Sequence, residues 1–337
     1  MKPHIAISCG DPAGIGPEVV ARCLQNSQKI CYPVVFGHWP SFSAALKTLE
    51  IDFPAIVLTD VPTRNTTETV QFVHRGPGDA PILKPGMDNA LAQLEALRAA
   101  TDAVLAGTCD ALSTAPVSKI EISRLLPEFI GHTEFLAKRC GQANSDVTMV
   151  FASENLTVGL VATHLPLKDI PSTITRSHYT RTLHHVVEVV RAIRHVEKPL
   201  IGVAALNPHG GEDGLLGNEE IQTIGPFCRA FSDVNNLSVK GPIPADTLFR
   251  DALAGHYDGV VAAYHDQAMI PLKLAGIGAT VNITMGLPFY RTSPDHGVAR
   301  DLAGTGRANP AGMARAIEMA VLLVADSCGR TSSPTAP

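Results

Sequence analysis

Residues 4–18 have the sequence HIAISCGDPAGIGPE, an apolar run followed by a glycine-rich turn and the start of an amphipathic stretch. The apolar run fits a buried strand, and Pro17 fits the first turn of a helix. The turn lacks the complete glycine pattern of a Rossmann fingerprint and the Gly-Lys-Ser/Thr of a Walker A loop. A structural turn therefore explains most of this stretch, but packing does not explain Asp11.

Short apolar runs alternate with longer amphipathic stretches along the rest of the chain. Strands are predicted at His4–Cys9, Pro33–Gly37, Ala55–Thr59, Ala111–Thr114, Val147–Ala152, Thr157–Thr163, Leu200–Leu206, Gly259–Tyr264 and Thr280–Thr284. Helices are predicted at Pro17–Gln25, Phe42–Leu49, Met87–Leu105, Glu134–Cys140, Arg176–His195, Asn218–Phe231 and Pro310–Ala325. Residues 62–85 are expected to be irregular. The alternation predicts an α/β protein with a largely parallel sheet, whose ligands bind beyond the carboxyl ends of the strands.

The composition limits the class of protein. A chain of 337 residues is longer than one hydrophobic core usually organises, so we expect two domains. The net charge of -5, without a basic run, argues against a nucleic-acid partner. Seven cysteines without Cys-x-x-Cys spacing suit reduced thiols. With neither a signal peptide nor a membrane-spanning run, we expect a cytoplasmic protein with no membrane partner.

Three histidines, His164, His209 and His265, each follow an apolar predicted strand. They are too far apart in sequence for a local zinc finger or a His-Glu-x-x-His helix. If three strand ends converge, their neutral imidazoles can bind a divalent transition metal and leave positions open for a substrate. A single histidine of this kind is more often structural, but three at equivalent strand ends favour a metal site.

Several loops suit an anionic ligand. The stretch 113–119 places hydroxyl groups beside a lysine, and 131–134 offers backbone N–H groups at a predicted helix start. Further along, Asn282 offers both a donor and an acceptor, and Arg291 can bind phosphate or carboxylate with two hydrogen bonds. The glycine-rich stretch 296–306 could approach a nucleotide closely.

Ionisable groups near the third histidine supply candidates for proton transfer. A hydroxyl bound to a metal becomes acidic, and a nearby base can take its proton. Lys273, Asp246 and Asp266 are the candidates. Asp266 could instead orient a metal-binding histidine, and the sequence does not separate these roles.

Eight motifs together carry a family resemblance. They are GDPAGIGPE at 10–18, TAPVSK at 114–119, GHTE at 131–134, THLPL at 163–167, LNPHGGE at 206–212, GPIPADTLF at 241–249, YHDQ at 264–267 and GLPFYRTSPDHG at 286–297. Taken in this order, they resemble the 4-hydroxythreonine-4-phosphate dehydrogenase family of pyridoxal phosphate (vitamin B6) biosynthesis.

The resemblance implies an isocitrate/isopropylmalate dehydrogenase-like fold, in which two α/β subdomains flank an active-site cleft. Residues 1–130 with 280–330 would form the first subdomain and carry the cofactor-binding loop. Residues 131–279 would form the second, with the metal ligands and the dimer contacts, and 331–337 a disordered tail. The family is homodimeric, with a metal site shared across the interface, so His164 is expected to come from the neighbouring subunit.

The resemblance also assigns roles to individual residues of this chain. The implied metal ligands are His164, His209 and His265; the substrate contacts are His132, Thr133, Lys273, Asn282 and Arg291; the cofactor contacts are His296, Gly297, Asp301 and Gly304. Catalytic positions fall on Lys273, Asp246 and Asp266. The implied reaction is oxidation of the carbon-3 hydroxyl of 4-phosphohydroxythreonine by NAD or NADP with one divalent metal, zinc, magnesium, cobalt or manganese. The product, a β-keto acid, then loses CO2.

Two departures leave alternatives open. Val298 stands where the family often has threonine, and Arg300 adds a charge to the cofactor-loop stretch. The substrate could therefore be a related four-carbon acid phosphate, 4-phospho-D-threonate or 4-phospho-D-erythronate. A metal-dependent sugar-phosphate lyase or aldolase would also use histidines and a phosphate site. A non-enzymatic binding protein with a structural metal is a further alternative.

Overall fold

The computed structural model describes residues 2–52, 54–60, 62–64, 66, 69–275 and 280–331. Within them the strands are β1 (His4–Ser8), β2 (Tyr32–Gly37), β3 (Ala55–Leu58), β4 (Val70–His74), β5 (Ala111–Thr114), β6 (Thr148–Ala152), β7 (Thr157–Leu160), β8 (Leu200–Ala204), β9 (Ser238–Ile243), β10 (Gly259–Ala262), β11 (Val281–Met285) and β12 (Tyr290–Pro294). The α-helices are α1 (Gly16–Ile30), α2 (Trp39–Thr48), α3 (Met87–Leu105), α4 (Lys119–Ile122), α5 (His132–Arg139), α6 (Arg176–Arg194), α7 (Gly225–Asn235), α8 (Ala245–Leu253), α9 (His265–Ala275) and α10 (Ala311–Thr331).

The chain divides into two α/β units, in agreement with the predicted fold class. The first comprises Met1–Asn144 and Leu287–Pro337, and the second comprises Ser145–Gly286. The boundaries differ from the expected ones at two places. Residues 131–144 go with the first unit because Leu136 of α5 is buried in its core. Residues 280–286 go with the second because β11 pairs antiparallel with β6.

The first unit contains parallel strands in the order β3-β4-β2-β1-β5-β12. Successive residues of β1 point to opposite faces of this sheet. Ile5 and Ile7 belong to the core cluster on the side of α1, α2 and α10. Ala6 belongs to the cluster on the side of α3 and α5. Helices therefore cover both faces of the sheet, which explains why its central strand is almost wholly apolar.

The second unit is a mixed sheet in the order β11-β6-β7-β10-β8-β9. Strands β11, β6 and β7 are antiparallel neighbours, whereas β7, β10, β8 and β9 are parallel. One core cluster joins the sheet to α8 and α9, with Leu248 and Leu272 fully buried. On α6 the buried residues include Tyr179, Leu183 and Val186.

Some elements were not predicted from the sequence. Strand β4 lies inside 62–85, so the expectation that this stretch is irregular is wrong there; β4 is buried and pairs with both β2 and β3. Strand β12 escaped prediction because its sequence, YRTSP, is polar although four of its five residues are buried. Helix α9 contains Pro271 and begins at His265, directly after a predicted strand end.

At the C-terminus, α10 continues to Thr331, beyond the predicted end at Ala325. The expected tail lies outside the described residues from 332 onwards. None of the helices in the described part of the chain combines the length and apolar character that crossing a membrane requires.

Candidate functional site

The side chain of a buried arginine reaches the carboxyl end of a parallel strand in the first unit. Arg291 on β12 is 2% exposed. Its Nε and Nη2 atoms donate hydrogen bonds to Oγ1 of Thr114, the last residue of β5, at 3.1 and 2.7 Å. Because β5 and β12 pair in parallel, their ends lie at the same edge of the sheet, where ligands bind in α/β folds.

The start of helix α5 lies in the same region. Gly131 precedes the helix and His132 begins it, so neither His132 nor Thr133 caps it with a side chain. A methyl group on Gly131 would approach Nζ of Lys119 to 3.5 Å, which places the lysine beside the helix start. The Nε2 atom of His132 is buried and has no hydrogen-bond partner among the described residues. A ligand acceptor or donor would satisfy this atom.

The electrostatics of this cluster favour an anion. Burial lowers the pKa of Arg291 to about 9, a shift that the charge of Glu134 partly opposes. Burial, and then the positive charges of Arg291 and Lys119, hold the pKa of His132 well below its ordinary value. A phosphate or carboxylate placed here would offset the cost of burying the guanidinium. We call Thr114, Lys119, His132 and Arg291 the anion site.

The predicted cofactor residues lie in a loop that packs on the glycine-rich turn at 10–18. The backbone N–H of Ile15 donates to the carbonyl oxygen of Val298 at 3.0 Å. A methyl group on Gly14 would approach that same oxygen to 2.7 Å, so only glycine permits this close approach. Gly304 lies in this loop with φ 76°, and His296 and Gly297 are exposed at its start.

A cavity of about 320 Å³ lies between this turn and this loop. Its lining includes Gly14, Glu18, Arg300 and Gly304, together with residues of α2 and of the stretch 81–85. Gly304 is the one predicted cofactor residue in this lining; His296, Gly297 and Asp301 are not part of it. The sequence did not single out Glu18, whose carboxylate accepts hydrogen bonds from the backbone N–H groups of Gly304 and Gly306.

Two of the predicted metal ligands lie close together in the second unit. The ring centroids of His164 and His265 are 5.6 Å apart. Nδ1 of His265 is 2.7 Å from a carboxylate oxygen of Asp266. This contact leaves Nε2 of His265 as the nitrogen that can bind a metal, the arrangement in which a carboxylate orients a metal-binding histidine.

The third predicted ligand, His209, lies in the 3-10 segment Pro208–Gly214. Its Nδ1 atom is 2.7 Å from Oε1 of Glu212, so it too carries a carboxylate on one ring nitrogen. His209 and Glu212 both have positive φ, 52° and 46°. Left-handed backbone at residues other than glycine is strained and clusters at functional sites. The His209 side chain is 74% exposed.

A second cavity, of about 730 Å³, lies beside His209. Its lining includes His209, Asp246 and Asp266, with Tyr264 and Gln267. The structure therefore brings two of the three candidate catalytic residues to one cavity with one predicted metal ligand. Lys273 lies in the last turn of α9 and is exposed. Asn282 lies on β11 with its Oδ1 atom buried and without a hydrogen-bond partner among the described residues.

The three histidines do not form a complete metal site within the described part of one chain. Among the residues that the structure describes, no three His, Cys, Asp or Glu side chains are grouped so that they could hold a metal ion. The structure thus pairs His164 with His265 and leaves His209 beside Asp246 and Asp266.

Comparison with known proteins identifies the family. The family model for the pyridoxal phosphate biosynthetic protein PdxA matches residues 29–320. A 4-hydroxythreonine-4-phosphate dehydrogenase from Saccharophagus degradans is 40% identical, over 90% of each chain. A D-threonate 4-phosphate dehydrogenase from Pectobacterium atrosepticum is 37% identical, over 96% of this chain and 100% of the relative.

A solved structure agrees with this assignment. The crystal structure of 4-hydroxythreonine-4-phosphate dehydrogenase from Klebsiella pneumoniae is 33% identical and superposes with a TM-score of 0.79. The likeness covers 96% of this chain and 100% of that chain. The same fold therefore extends over nearly the whole of both proteins, and this chain belongs to the PdxA family of pyridoxal phosphate biosynthetic proteins.

Proposed function

We propose that this protein is a dehydrogenase that oxidises the carbon-3 hydroxyl of 4-phosphohydroxy-L-threonine with NAD+ or NADP+ and one divalent metal ion. The product would be 2-amino-3-oxo-4-phosphooxybutanoate, which decarboxylates to 3-amino-2-oxopropyl phosphate. Relatives named 4-hydroxythreonine-4-phosphate dehydrogenase support the reaction class.

The anion site is the observation that carries this proposal. It combines a buried guanidinium, a lysine and an orphaned buried histidine nitrogen at one sheet edge. Burying a cation is costly, and an anionic ligand would add to the compensation that the charge of Glu134 gives. We therefore infer an anionic substrate, whose phosphate or carboxylate would lie against Arg291 and Lys119, with Thr133 and Asn282 as further contacts.

The donor set in the second unit fits a divalent metal. His164, His209 and His265 would hold it, and Asp266 and Glu212 would orient two of these rings. Imidazole suits zinc, cobalt or manganese, and added carboxylate and substrate oxygens also admit magnesium. When bound, the metal would make the substrate hydroxyl more acidic.

The proton of that hydroxyl needs an acceptor. Lys273 is our choice, either as the base or as the cation that polarises the new carbonyl group. Asp246 is the alternative. The contact between Asp266 and His265 favours an orienting role for Asp266 over proton transfer. Hydride would pass from carbon 3 to the nicotinamide ring, whose cofactor would contact the loop that contains His296, Gly297, Asp301 and Gly304.

We further propose that the metal site is completed in a cytoplasmic homodimer. His164 lies beside His265 of its own chain, which argues against the expectation that His164 comes from the neighbouring subunit. Two observations support a partner at this face of the second unit. His164 and His265 lie together, but no third candidate ligand joins them within the described residues of one chain. Large apolar side chains are exposed there, with Leu215 83%, Leu274 79% and Ile270 62% exposed.

A second candidate function is oxidation of 4-phospho-D-threonate or 4-phospho-D-erythronate. The relative from Pectobacterium atrosepticum, named D-threonate 4-phosphate dehydrogenase, favours it. These acids also carry a phosphate and a secondary hydroxyl, so the anion site suits them equally. A sugar-phosphate lyase is a weaker candidate because it needs no dinucleotide.

A substrate panel tests the proposal. The three phosphorylated acids are each incubated with NAD+ and with NADP+, and formation of the reduced cofactor is followed. We expect the fastest turnover with 4-phosphohydroxythreonine. Faster turnover of a threonate or erythronate phosphate would select the second candidate, and no cofactor reduction with any of the three would contradict a dehydrogenase of this substrate class.

A further inference from the structure

The loop at 295–306 is held on the turn at 10–18 by buried carboxylates. Glu18, 2% exposed, accepts hydrogen bonds from two backbone N–H groups of the loop, with the one from Gly306 at 2.9 Å. Asp11, fully buried, accepts one from the backbone N–H of Ala13 in its own turn at 2.9 Å. The conformation of the loop is therefore coupled to charged groups beneath it.

Arg300 is the cation that completes this arrangement. Its Nε and Nη2 atoms donate to one carboxylate oxygen of Asp11, at 3.0 and 2.6 Å. Nη2 also donates to Oε2 of Glu121. Glu121 is 2% exposed, whereas the Arg300 side chain is 31% exposed. One guanidinium on the loop thus pairs with two buried carboxylates on separate parts of the unit.

Two amide side chains of α3 extend the network. Nδ2 of Asn89 donates to Asp11 at 2.9 Å and to Glu121 at 2.6 Å. Gln93, one turn later, accepts from the backbone N–H of Ser118 at 2.7 Å. Burial alone would lower the pKa of Arg300, but its hydrogen bonds and charge contacts with Asp11 and Glu121 raise it above the ordinary value for arginine. The ion pairs of Arg300 with Asp11 and Glu121 are therefore part of a buried hydrogen-bond network that includes Asn89.

The same residues shape the cavity of about 320 Å³. Arg300, Glu18 and Gly304 all line it, so any shift of the loop changes its shape. Arg300 makes its hydrogen bonds with Asp11 and Glu121 and not with residues of the anion site or of the histidine set. Its contacts therefore hold the loop and do not reach the reacting atoms.

We propose that Arg300 is a positioning residue for the dinucleotide: through Asp11 and Glu121 it fixes the loop at 295–306 in the conformation that receives the cofactor. The inference rests on the proposed function, because it places part of a nicotinamide dinucleotide in this cavity. Arg300 acts through the loop and not on the substrate, so it governs cofactor binding and leaves the chemical step unaffected.

The test compares Arg300→Met with a matched control, Arg307→Met, an exposed arginine just beyond the same loop. For Arg300→Met we expect KM for the dinucleotide to rise about tenfold or more while kcat changes little. Arg300→Lys should recover part of the loss, and Arg307→Met should match the wild type. A rise in KM for the phosphorylated acid alone would overturn the proposal.

Two readouts do not depend on turnover. Hydrogen exchange of residues 296–306 in the free protein should be faster in Arg300→Met. NAD+ binding, followed by the fluorescence of Trp39, the single tryptophan, at the start of the cavity-lining helix α2, should weaken in parallel. Unchanged exchange with unchanged NAD+ binding in a folded variant overturns the positioning role. If NAD+ binds the wild type but no phosphorylated acid reduces it, the result would instead contradict the proposed function.

Arg300→Met leaves two buried carboxylates without their cation, which can prevent folding. The triple variant Asp11→Asn/Glu121→Gln/Arg300→Met removes all three charges and keeps the shapes. We expect it to fold and to show the same fast exchange and weak NAD+ binding. If the triple variant showed the same hydrogen exchange at residues 296–306 and the same NAD+ binding as the wild type, the proposal would be contradicted.

Discussion

The anion site of the first unit and the histidine set of the second unit differ in how much of each one chain supplies. In the first unit, Arg291, Thr114, Lys119 and His132 meet at one sheet edge, and burial has already removed water from the guanidinium. In the second unit, His164 and His265 are neighbours but His209 is largely exposed. One chain therefore supplies the whole anion site but, among its described residues, only part of a metal site.

The difference follows from the physics of each ligand. Phosphate can be held by one strand edge and one helix start, which a single unit provides. A metal ion needs three or more donors converging from different segments, and carboxylates such as Asp266 and Glu212 can orient each donor separately. Substitutions that act on one set and not the other therefore separate substrate binding from metal binding.

The largest effect is expected from removal of a metal ligand. His265→Ala should lower kcat by about a thousandfold or more, because the acidity of the substrate hydroxyl depends on the metal. Metal content, measured on the purified protein, should fall with it. His256→Ala, an exposed histidine of the same unit, is the control and should retain both. Full activity and full metal content in His265→Ala would remove this residue from the ligand set.

Arg291→Met should lower kcat/KM for the phosphorylated acid by about a hundredfold to a thousandfold, since a charged hydrogen-bonding partner of the substrate is lost. The free protein should remain folded, although the hydrogen bonds to Thr114 and the charge contact with Glu134 are lost, and thermal melting checks this. Inorganic phosphate should no longer raise the melting temperature. Arg315→Met, at a partly exposed arginine that pairs with Glu318, serves as control. A strongly destabilised Arg291→Met would show that the cation stabilises the fold itself.

Lys273→Ala tests the assignment of proton transfer. A residue that moves the proton contributes about a hundredfold or more, so kcat should fall by that factor with little change in metal content. Normal kcat with a raised KM would make Lys273 a binding residue and would favour Asp246 as the proton acceptor.

Glu212→Gln should have a smaller effect on the histidine set. The carboxylate holds the His209 ring through Nδ1, and loss of such an orienting partner lowers metal affinity by about 10- to 100-fold. Metal titration of the stripped protein measures this directly. Glu154→Gln, exposed in the same unit, should titrate like the wild type. If Glu212→Gln bound the metal as tightly as the wild type, the contact between Glu212 and His209 would have no orienting role.

The smallest effect concerns pH. The pKa of His132 in the folded protein is well below its ordinary value, whereas in the unfolded chain it is about 6.5. As pH falls below that value the unfolded state gains a proton that the folded state does not, so His132 lowers stability in acid. His132→Asn should therefore lose less stability than the wild type between pH 7 and pH 5, by up to about 2 kcal/mol. Parallel curves from denaturant unfolding would contradict the buried, neutral state of His132.

The sequence predicted the parts of the molecule that depend on local pattern. The α/β class and most strands follow from short apolar runs, and β1 follows from its apolar residues between two covered faces. Strand β12 could not be predicted this way, because Arg291 and its polar neighbours are buried through hydrogen bonds instead of apolar contacts. Strand β4 was hidden in a stretch rich in threonine, glycine and proline.

The candidate site shows the same division. Arg291 and Asn282 were predicted as ligand contacts from side-chain chemistry and motif position, and Asp11 was noted as a residue that packing does not explain. Its partners Arg300, Glu121 and Asn89 lie 289, 110 and 78 residues away in sequence, so only the fold could connect them. The available signal was the pair of polar residues Asn89 and Gln93, one turn apart on a helix whose other buried residues, except Thr101, are apolar.

Metal dependence of cofactor reduction tests the central claim most directly. The protein is stripped with a chelator, its residual metal content is measured, and reduction of NAD+ or NADP+ by 4-phosphohydroxythreonine is followed before and after zinc, cobalt, manganese or magnesium is returned. We expect no turnover in the stripped protein and recovery with at least one of these ions. Full turnover by protein shown to be free of metal would contradict a metal-dependent dehydrogenase.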